Sequence, residues 1–193
     1  MLMGSHFTKQ LSFLTDLTDN EIQVIESLLI RKTIPAKTQL VPYNKKTDEL
    51  FIIEKGCIRK YCIKDGQEIT IFITVEGQFA VEYVSFMSGS YSQNILETIE
   101  ECEVFVLKKK DLDELYLSIP KLNEAIRKIL ENILLDTQTM LNEFIMLSPE
   151  DRYINFLKKK PHLLNRIPQY IIASYLGISA TSLSRIRKRI TSK

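Results

Sequence analysis

Along residues 8–34 the apolar positions recur at helical spacing. Ile22, Ile25, Leu28 and Leu29 share one face. Thr18, followed three residues later by Glu21, is a capping-box pattern. The spacing predicts helix over the whole stretch, stopped by Pro35. From about 36 to 107 the texture changes to short β-rich runs. These are ELFIIEKG (49–56), CIRKYCI (57–63), EITIFITV (68–75), NILETI (94–99) and CEVFVL (102–107). Turn residues separate them, and Asp65-Gly66 is a strong hairpin signal. Several short strands so close together predict an antiparallel sandwich or barrel. Gly77 and Gly89 bracket QFAVEYVSFMS, which reads as a short helix crossing that barrel.

A short helix is predicted over Lys108–Leu117, with Pro120 as punctuation. A long helical pattern covers about 121–147. Leu122, Ile126, Ile129, Ile133, Met140, Phe144 and Leu147 lie near one stripe, which Leu130, Leu134 and Leu141 broaden. The spacing is close to heptad, with Asp136 or Thr137 in mid-seam. A long helix apolar on more than one side needs a partner, and a second copy of the chain suits it. The competing reading packs the stripe only on its own barrel. Ser148-Pro149-Glu150-Asp151 then starts another helix: Ser148 caps it, Pro149 suits its first position, and the acids complement the dipole. Tyr153, Ile154, Phe156 and Leu157 give its apolar face, and Pro161 ends it. The chain shows no repeat and no low-complexity segment.

The stretch RIPQYIIASYLGISATSLSRIRKRI (166–190) reads as two helices joined by a tight turn. Ile171, Ile172 and Leu176 supply the apolar face of the first. Ala173 is small where the second helix must cross, Gly177 supplies the turn conformation, and Ile178 plugs the corner. Ser179 caps the second helix, and Leu183 and Ile186 face inward. Ala180, Thr181, Ser182, Ser184, Arg185, Lys188 and Arg189 are left mostly outward. This is a helix-turn-helix pattern. A helix lying in a major groove about 12 Å wide needs short side chains where it approaches and Arg or Lys where it reaches. Arg185 is the candidate for base readout, bidentate to guanine. Thr181, Ser182 and Ser184 lie at base edges or phosphates. Gln169, Arg187, Lys188 and Arg189 are phosphate candidates, joined by Lys193 and by the Lys158–Lys160 triplet.

Charge supports the same partner. The total is +2, yet residues 150–193 carry ten Lys and Arg against Glu150 and Asp151, a net +8 that leaves −6 on residues 1–149. A basic end on an acidic body is the footprint of a nucleic-acid partner; a solvated helical face is the bland alternative. At 193 residues, 45% hydrophobic and 26% charged, the chain is long enough for one large or two small domains. No apolar run approaches the ~18 residues of a membrane helix. The N-terminus lacks a secretory profile, which predicts a cytoplasmic protein with no membrane partner. Met1–His6 carries no weight in this reading. Cys57, Cys62 and Cys102, with His6 and His162, offer no spacing for zinc or an iron–sulfur cluster. The three cysteines are expected as buried, reduced thiols, and no metal or cofactor is expected. A cupin-like enzyme would need several barrel histidines, and none lies between Phe7 and Pro161. The expectation is therefore a non-enzyme.

On EKGCIRKYCIKDGQEITIF, EGQFAVE, CEVFVLKKKDLDEL, SPEDRYINFL and the helix-turn-helix, the chain resembles the Crp/Fnr superfamily of bacterial transcription regulators over residues 8–190. In flavour it is similar to short members from Bacteroidetes-like bacteria. The resemblance implies an α+β fold. Its parts are an antiparallel β-roll of jelly-roll type (1–118), a long dimerisation helix (119–147) and a helix-turn-helix domain without a full wing (148–193). It implies a homodimer on a pseudo-palindromic operator, with RNA polymerase and a small-molecule effector as further candidate partners. Cyclic-nucleotide-binding members place a Gly-Glu pair on the ribose and an Arg-Ser or Arg-Thr pair on the phosphate. Here the matching positions read Gly77-Gln78 and Ser92-Gln93-Asn94. Desolvating a cyclic phosphate without an arginine is costly, so cyclic AMP is not the expected effector. With Glu82, these residues form the candidate pocket. The chain stopping at Lys193 leaves no room for the β-hairpin wing that many members carry. The rival reading is a ligand-binding or protein-interaction module that has lost DNA.

Overall fold

The computed structural model describes residues 5–191. Helix α1 (His6–Leu14) is capped by Ser5, whose side chain accepts from the Thr8 amide. Helix α2 (Asp19–Ser27) carries the capping box of Thr18 and Glu21. The helical reading of 8–34 fails beyond it. Residues Ile30–Ile34 form strand β1, paired antiparallel with β8 (Cys102–Lys108) from Ile30↔Val106 to Ile34↔Cys102. Apolar spacing carries the helical pattern up to Leu29, but backbone pairing with a distant strand decides the conformation of the next five residues. Thr15 also breaks the stretch, as the extended residue closing α1.

The other strands are β2 (Gln39–Val41), β3 (Glu49–Lys55), β4 (Ile58–Lys64), β5 (Gln67–Thr74), β6 (Phe79–Ala80) and β7 (Ile95–Thr98). They form two four-stranded antiparallel sheets, ordered β1-β8-β3-β6 and β2-β7-β4-β5. Asp65 and Gly66 both have positive φ, as the two-residue hairpin between β4 and β5 requires. Helix α3 (Tyr83–Ser88) lies between Gly77 and Gly89, as the sequence predicts.

Three cores hold the chain together. Between the sheets lie Val41, Phe51, Ile53, Ile58, Leu96, Val104 and Val106. Ile52, between Phe51 and Ile53, points the other way into a second core with Phe7, Leu11, Ile25 and Leu107. Both faces of β3 are therefore covered, which is why LFII is apolar without alternation. Helices α4 (Lys109–Ser118) and α5 (Leu122–Met146) close this second core with Leu115, Leu122, Ala125 and Ile129. The third core joins Cys57 and Ile73 of the roll to Tyr153, Phe156, Leu163, Ile167, Ile171 and Ile172 of the C-terminal helices. Among the described residues, no helix is long and apolar enough to cross a membrane.

Candidate nucleic-acid interface and effector pocket

Helix α6 (Pro149–Lys159) begins as predicted, with Pro149 in the first turn and Ser148 Oγ accepting from the Asp151 amide at 3.2 Å. A single 3-10 turn (Pro161–Leu163) leads to α7 (Gln169–Tyr175) and α8 (Ala180–Thr191). Ile171, Ile172, Ala173 and Leu176 are buried on the α7 side, and Leu183 and Ile186 on the α8 side. Gly177 sits at φ +67 between them, and Ile178 packs on the shared core. Ser179 Oγ accepts from the Ser182 amide at 3.1 Å, which caps α8. The first turn of α8 has no acid and its last turn carries Lys188 and Arg189.

Thr181, Ser184, Arg185, Lys188 and Arg189 are exposed on α8; Ser182 and Arg187 are half-buried. Gln169 is exposed at the start of α7. The structure thus brings these candidates onto one helical unit. Arg189 is already engaged: its Nη1 donates to Glu150 Oε2 at 2.6 Å. The basic triplet divides. Lys158 is exposed and Lys159 pairs with Glu143 at 2.6 Å. Lys160 is half-buried, with its ammonium 5.4 Å from the centre of the Tyr175 ring. Burial pushes the Lys160 ammonium below its ordinary range. Lys193 lies outside the described residues.

The six residues of the α5 stripe separate along the helix. Leu122, Ile126 and Ile129 pack on the roll. Ile133 is exposed, and Met140 and Phe144 line a cleft of about 50 Å³ with Arg152, Lys160 and Tyr175. The Phe144 ring lies under the Arg152 guanidinium at 5.1 Å and against Gly177.

In the roll, Glu82, Ser92 and Asn94 come together. Glu82 is 2% exposed; it caps α3 through the Ser85 amide at 2.8 Å and accepts from Asn94 Nδ2 at 3.0 Å. Ser92 Oγ accepts from the Asn94 amide at 3.1 Å. Gln93 and Gln78 are exposed, and Gln78 Oε1 turns back to the Val75 amide at 3.1 Å beside Gly77. Sequence reasoning missed Lys60. It pairs in register with Phe72 and Leu96, so it shares the inward face of Leu96, and its ammonium lies 4.8 Å over the Phe72 ring. Burial lowers its pKa, with Glu82 acting in the opposite sense. Strand alternation from the buried Ile58 was the signal that could have found it. On the opposite face of β4, the nearly buried Arg59 pairs with Glu97 and Glu68, both at 2.7 Å.

The cysteine expectation needs one correction. Cys57 and Cys102 are buried, and burial pushes their thiols up to about 12 and about 11. Cys62 is only partly buried, because it falls near the exposed end of β4.

Residues 31–118 match the family model of the cyclic nucleotide-binding domain. Electron transport regulator A of Shewanella oneidensis is 25% identical over 190 residues, covering 90% of this chain and 74% of that one. The c-di-GMP responsive global regulator CLP of Xanthomonas campestris has a similar structure, with a TM-score of 0.72 at 20% identity over 91% of this chain and 92% of that one. A transcriptional regulator assigned to the crp/fnr family from Eubacterium rectale superposes with a TM-score of 0.70 at 16% identity, over 92% and 85%. With its antiparallel roll, long helix and capped helix-turn-helix, the chain is similar in sequence and in fold to these bacterial transcription regulators, those of the Crp/Fnr family among them.

Proposed function

We propose that the chain acts as a cytoplasmic homodimer that reads a pseudo-palindromic DNA operator through α8, and that it is a regulator without enzymatic activity. Its parts are a sensor-like roll (1–118), a dimerisation helix (119–147) and a DNA-binding unit (148–193). The observation that carries this reading is α8 itself: capped by Ser179, packed on α7 through Leu183 and Ile186, and presenting Thr181, Ser184, Arg185 and Lys188 outward. Arg185 reads a base, and Gln169, Ser179, Ser182, Arg187 and Arg189 meet the backbone or base edges around it. The Arg189–Glu150 pair is exposed and exchanges Glu150 for a phosphate at little cost.

The roll is the effector-binding part, with Gly77, Gln78, Glu82, Ser92, Gln93 and Asn94 around its pocket. Asn94 Nδ2 already donates to Glu82, and the positions that match the phosphate clamp of cyclic-nucleotide-binding members read Ser92-Gln93-Asn94. That supports an effector other than cyclic AMP. RNA polymerase is a further partner in this reading.

The test is enrichment of duplexes from a random-sequence pool by the wild-type chain. The expected product is a two-fold-symmetric site whose affinity falls linearly on a logarithmic salt scale. Arg185→Ala should cost about 1–3 kcal/mol on that site and relax preference at one base per half-site. No enriched sequence, or binding indifferent to salt, would sink the reading in favour of a module that has lost DNA.

A further inference from the structure

We propose that Arg166 is a positioning residue for DNA recognition: it ties the helix-turn-helix to the 75–78 turn of the roll, so that this turn sets the orientation of α8 within the same chain. The inference rests on the DNA-binding reading above and adds the route by which the roll governs it.

Arg166 stands in the segment before α7. Its Nη1 donates to Glu76 Oε2 at 3.1 Å and its Nη2 to Glu76 Oε1 at 2.7 Å, a bidentate pair. Its Nε donates to Glu100 Oε1 at 3.2 Å, and Nη2 also reaches that oxygen. Glu76 is itself fixed, because Oε1 accepts from the Gly56 amide at 2.8 Å. Two loops of the roll therefore meet on one guanidinium, and a third, through Gly56, holds Glu76 in place. Such forked pairs specify direction as well as distance.

A second tie fixes the rotation about that point. Ser174 of α7 donates to the Glu68 carbonyl at 2.8 Å and accepts from the Thr70 amide at 2.9 Å. The β4–β5 ladder is irregular there, passing from Lys60↔Phe72 to Tyr61↔Thr70 and leaving Ile71 extra. Between the two ties, Cys57 and Ile73 are buried in the same apolar cluster as Leu163, Ile167, Ile171 and Ile172. Helix α7 cannot turn against β5 without opening all three. Helix α8 packs on α7 through Leu183 and Ile186, so it moves with α7.

The 75–78 turn is held from the other side by the roll interior. The Gly77 amide donates to the Ile53 carbonyl at 2.9 Å, and the Ile53 amide donates to the Gln78 carbonyl at 3.1 Å. Ile53 belongs to the core between the sheets. A ligand that shifts Gly77 or Gln78 thereby shifts Glu76 and, through it, Arg166. The coupling runs within one chain and does not need the α5 seam.

The experiment uses the full chain and a duplex it has enriched from a random pool. Arg166→Ala and the double variant Glu76→Gln/Glu100→Gln should each weaken binding to that duplex by about tenfold. Combining all three changes should add little, since one interaction is removed either way. Binding to an unrelated duplex and the salt slope should stay as in wild type. If Arg166 instead contacts a phosphate, Arg166→Ala lowers the salt slope by about one. The double glutamine variant then tightens binding by releasing the guanidinium; either result overturns the proposal. Hydrogen exchange gives a readout independent of DNA. In Arg166→Ala the Thr70 amide should exchange faster, while Val104 in the roll core keeps its protection. Unchanged protection at Thr70 also overturns it. A wild-type chain that enriches no duplex defeats the DNA-binding reading, and exchange at Thr70 still decides the docking.

Discussion

Gly177 shows how much one residue can carry. It sits at φ +67, where a side chain is strained, and a Cβ there would stand 2.8 Å from Phe144 Cε1. Gly177→Ala should therefore destabilise the chain by about 1–2 kcal/mol. The measurement is the denaturant midpoint at constant slope; an unchanged midpoint would mean that the α7–α8 turn relaxes freely. The first reason for Gly177 was legible in the sequence, because a tight turn between two helical patterns asks for glycine. The second was not. Phe144 read as a seam residue of the long helix, and only the folded chain brings its ring to the turn. Arg166 is the same kind of case. In the sequence it is one of ten cations of the basic end, while the structure engages it with Glu76 and Glu100. Local pattern reveals a residue's element and face, but not which distant carboxylate waits for it.

The long helix α5 is the element whose two halves tell different stories. Its first turns bury Leu122, Ala125 and Ile129 against the roll. Farther on, Leu134 is 59% exposed, Leu135 65% and Ile145 73%, with Ile133 and Leu141 also in solvent. A row of large apolar side chains on one element marks an interaction face, and a second copy of α5 is the partner that the near-heptad spacing fits. Ile133→Glu should shift the chain from dimer to monomer in sedimentation. The roll should stay folded, since Ile133 takes no part in its cores. A wild-type chain that sediments as a monomer at micromolar concentration would defeat this. The helical spans from Lys109 onward were legible because proline punctuation and apolar period agree there, joined at α6 by the Ser148 cap. Over 30–34 they do not agree: Ile30 extends an apolar helical pattern, while IRKTI is also a fair edge strand. Pairing with β8 settles it, and no local signal could.

At the scale of the whole molecule, part of the charge asymmetry is neutralised internally. The −6 body and the +8 end meet in Arg166–Glu76, Arg166–Glu100 and Lys159–Glu143, which draw the C-terminal unit onto the rest. The sequence exposed the asymmetry and suggested DNA; how much of it serves docking depends on tertiary placement. This division makes a prediction about pH. Burial pushes the Glu76 carboxyl up, but the Arg166 guanidinium and the Gly56 amide outweigh it and hold it at about 2. In the unfolded chain a glutamate titrates near ~4.3. The unfolded state therefore takes up its proton first as pH falls. The contribution of Glu76 is fully present above ~4.3 and is lost as pH drops through that range toward the folded value. Wild type and Glu76→Gln should accordingly differ in denaturant midpoint by a constant amount between pH 8 and 5, and the gap should close below. Glu21, held near 2 by Lys121 and the Thr18 amide, also titrates in acid, but it is common to both chains and cancels in the comparison. A gap that persists unchanged to pH 3 would mean that Glu76 is not the charged partner of Arg166. A gap that opened or closed between pH 8 and 5 would make the docking a neutral-pH switch, which the ion pair as built does not provide.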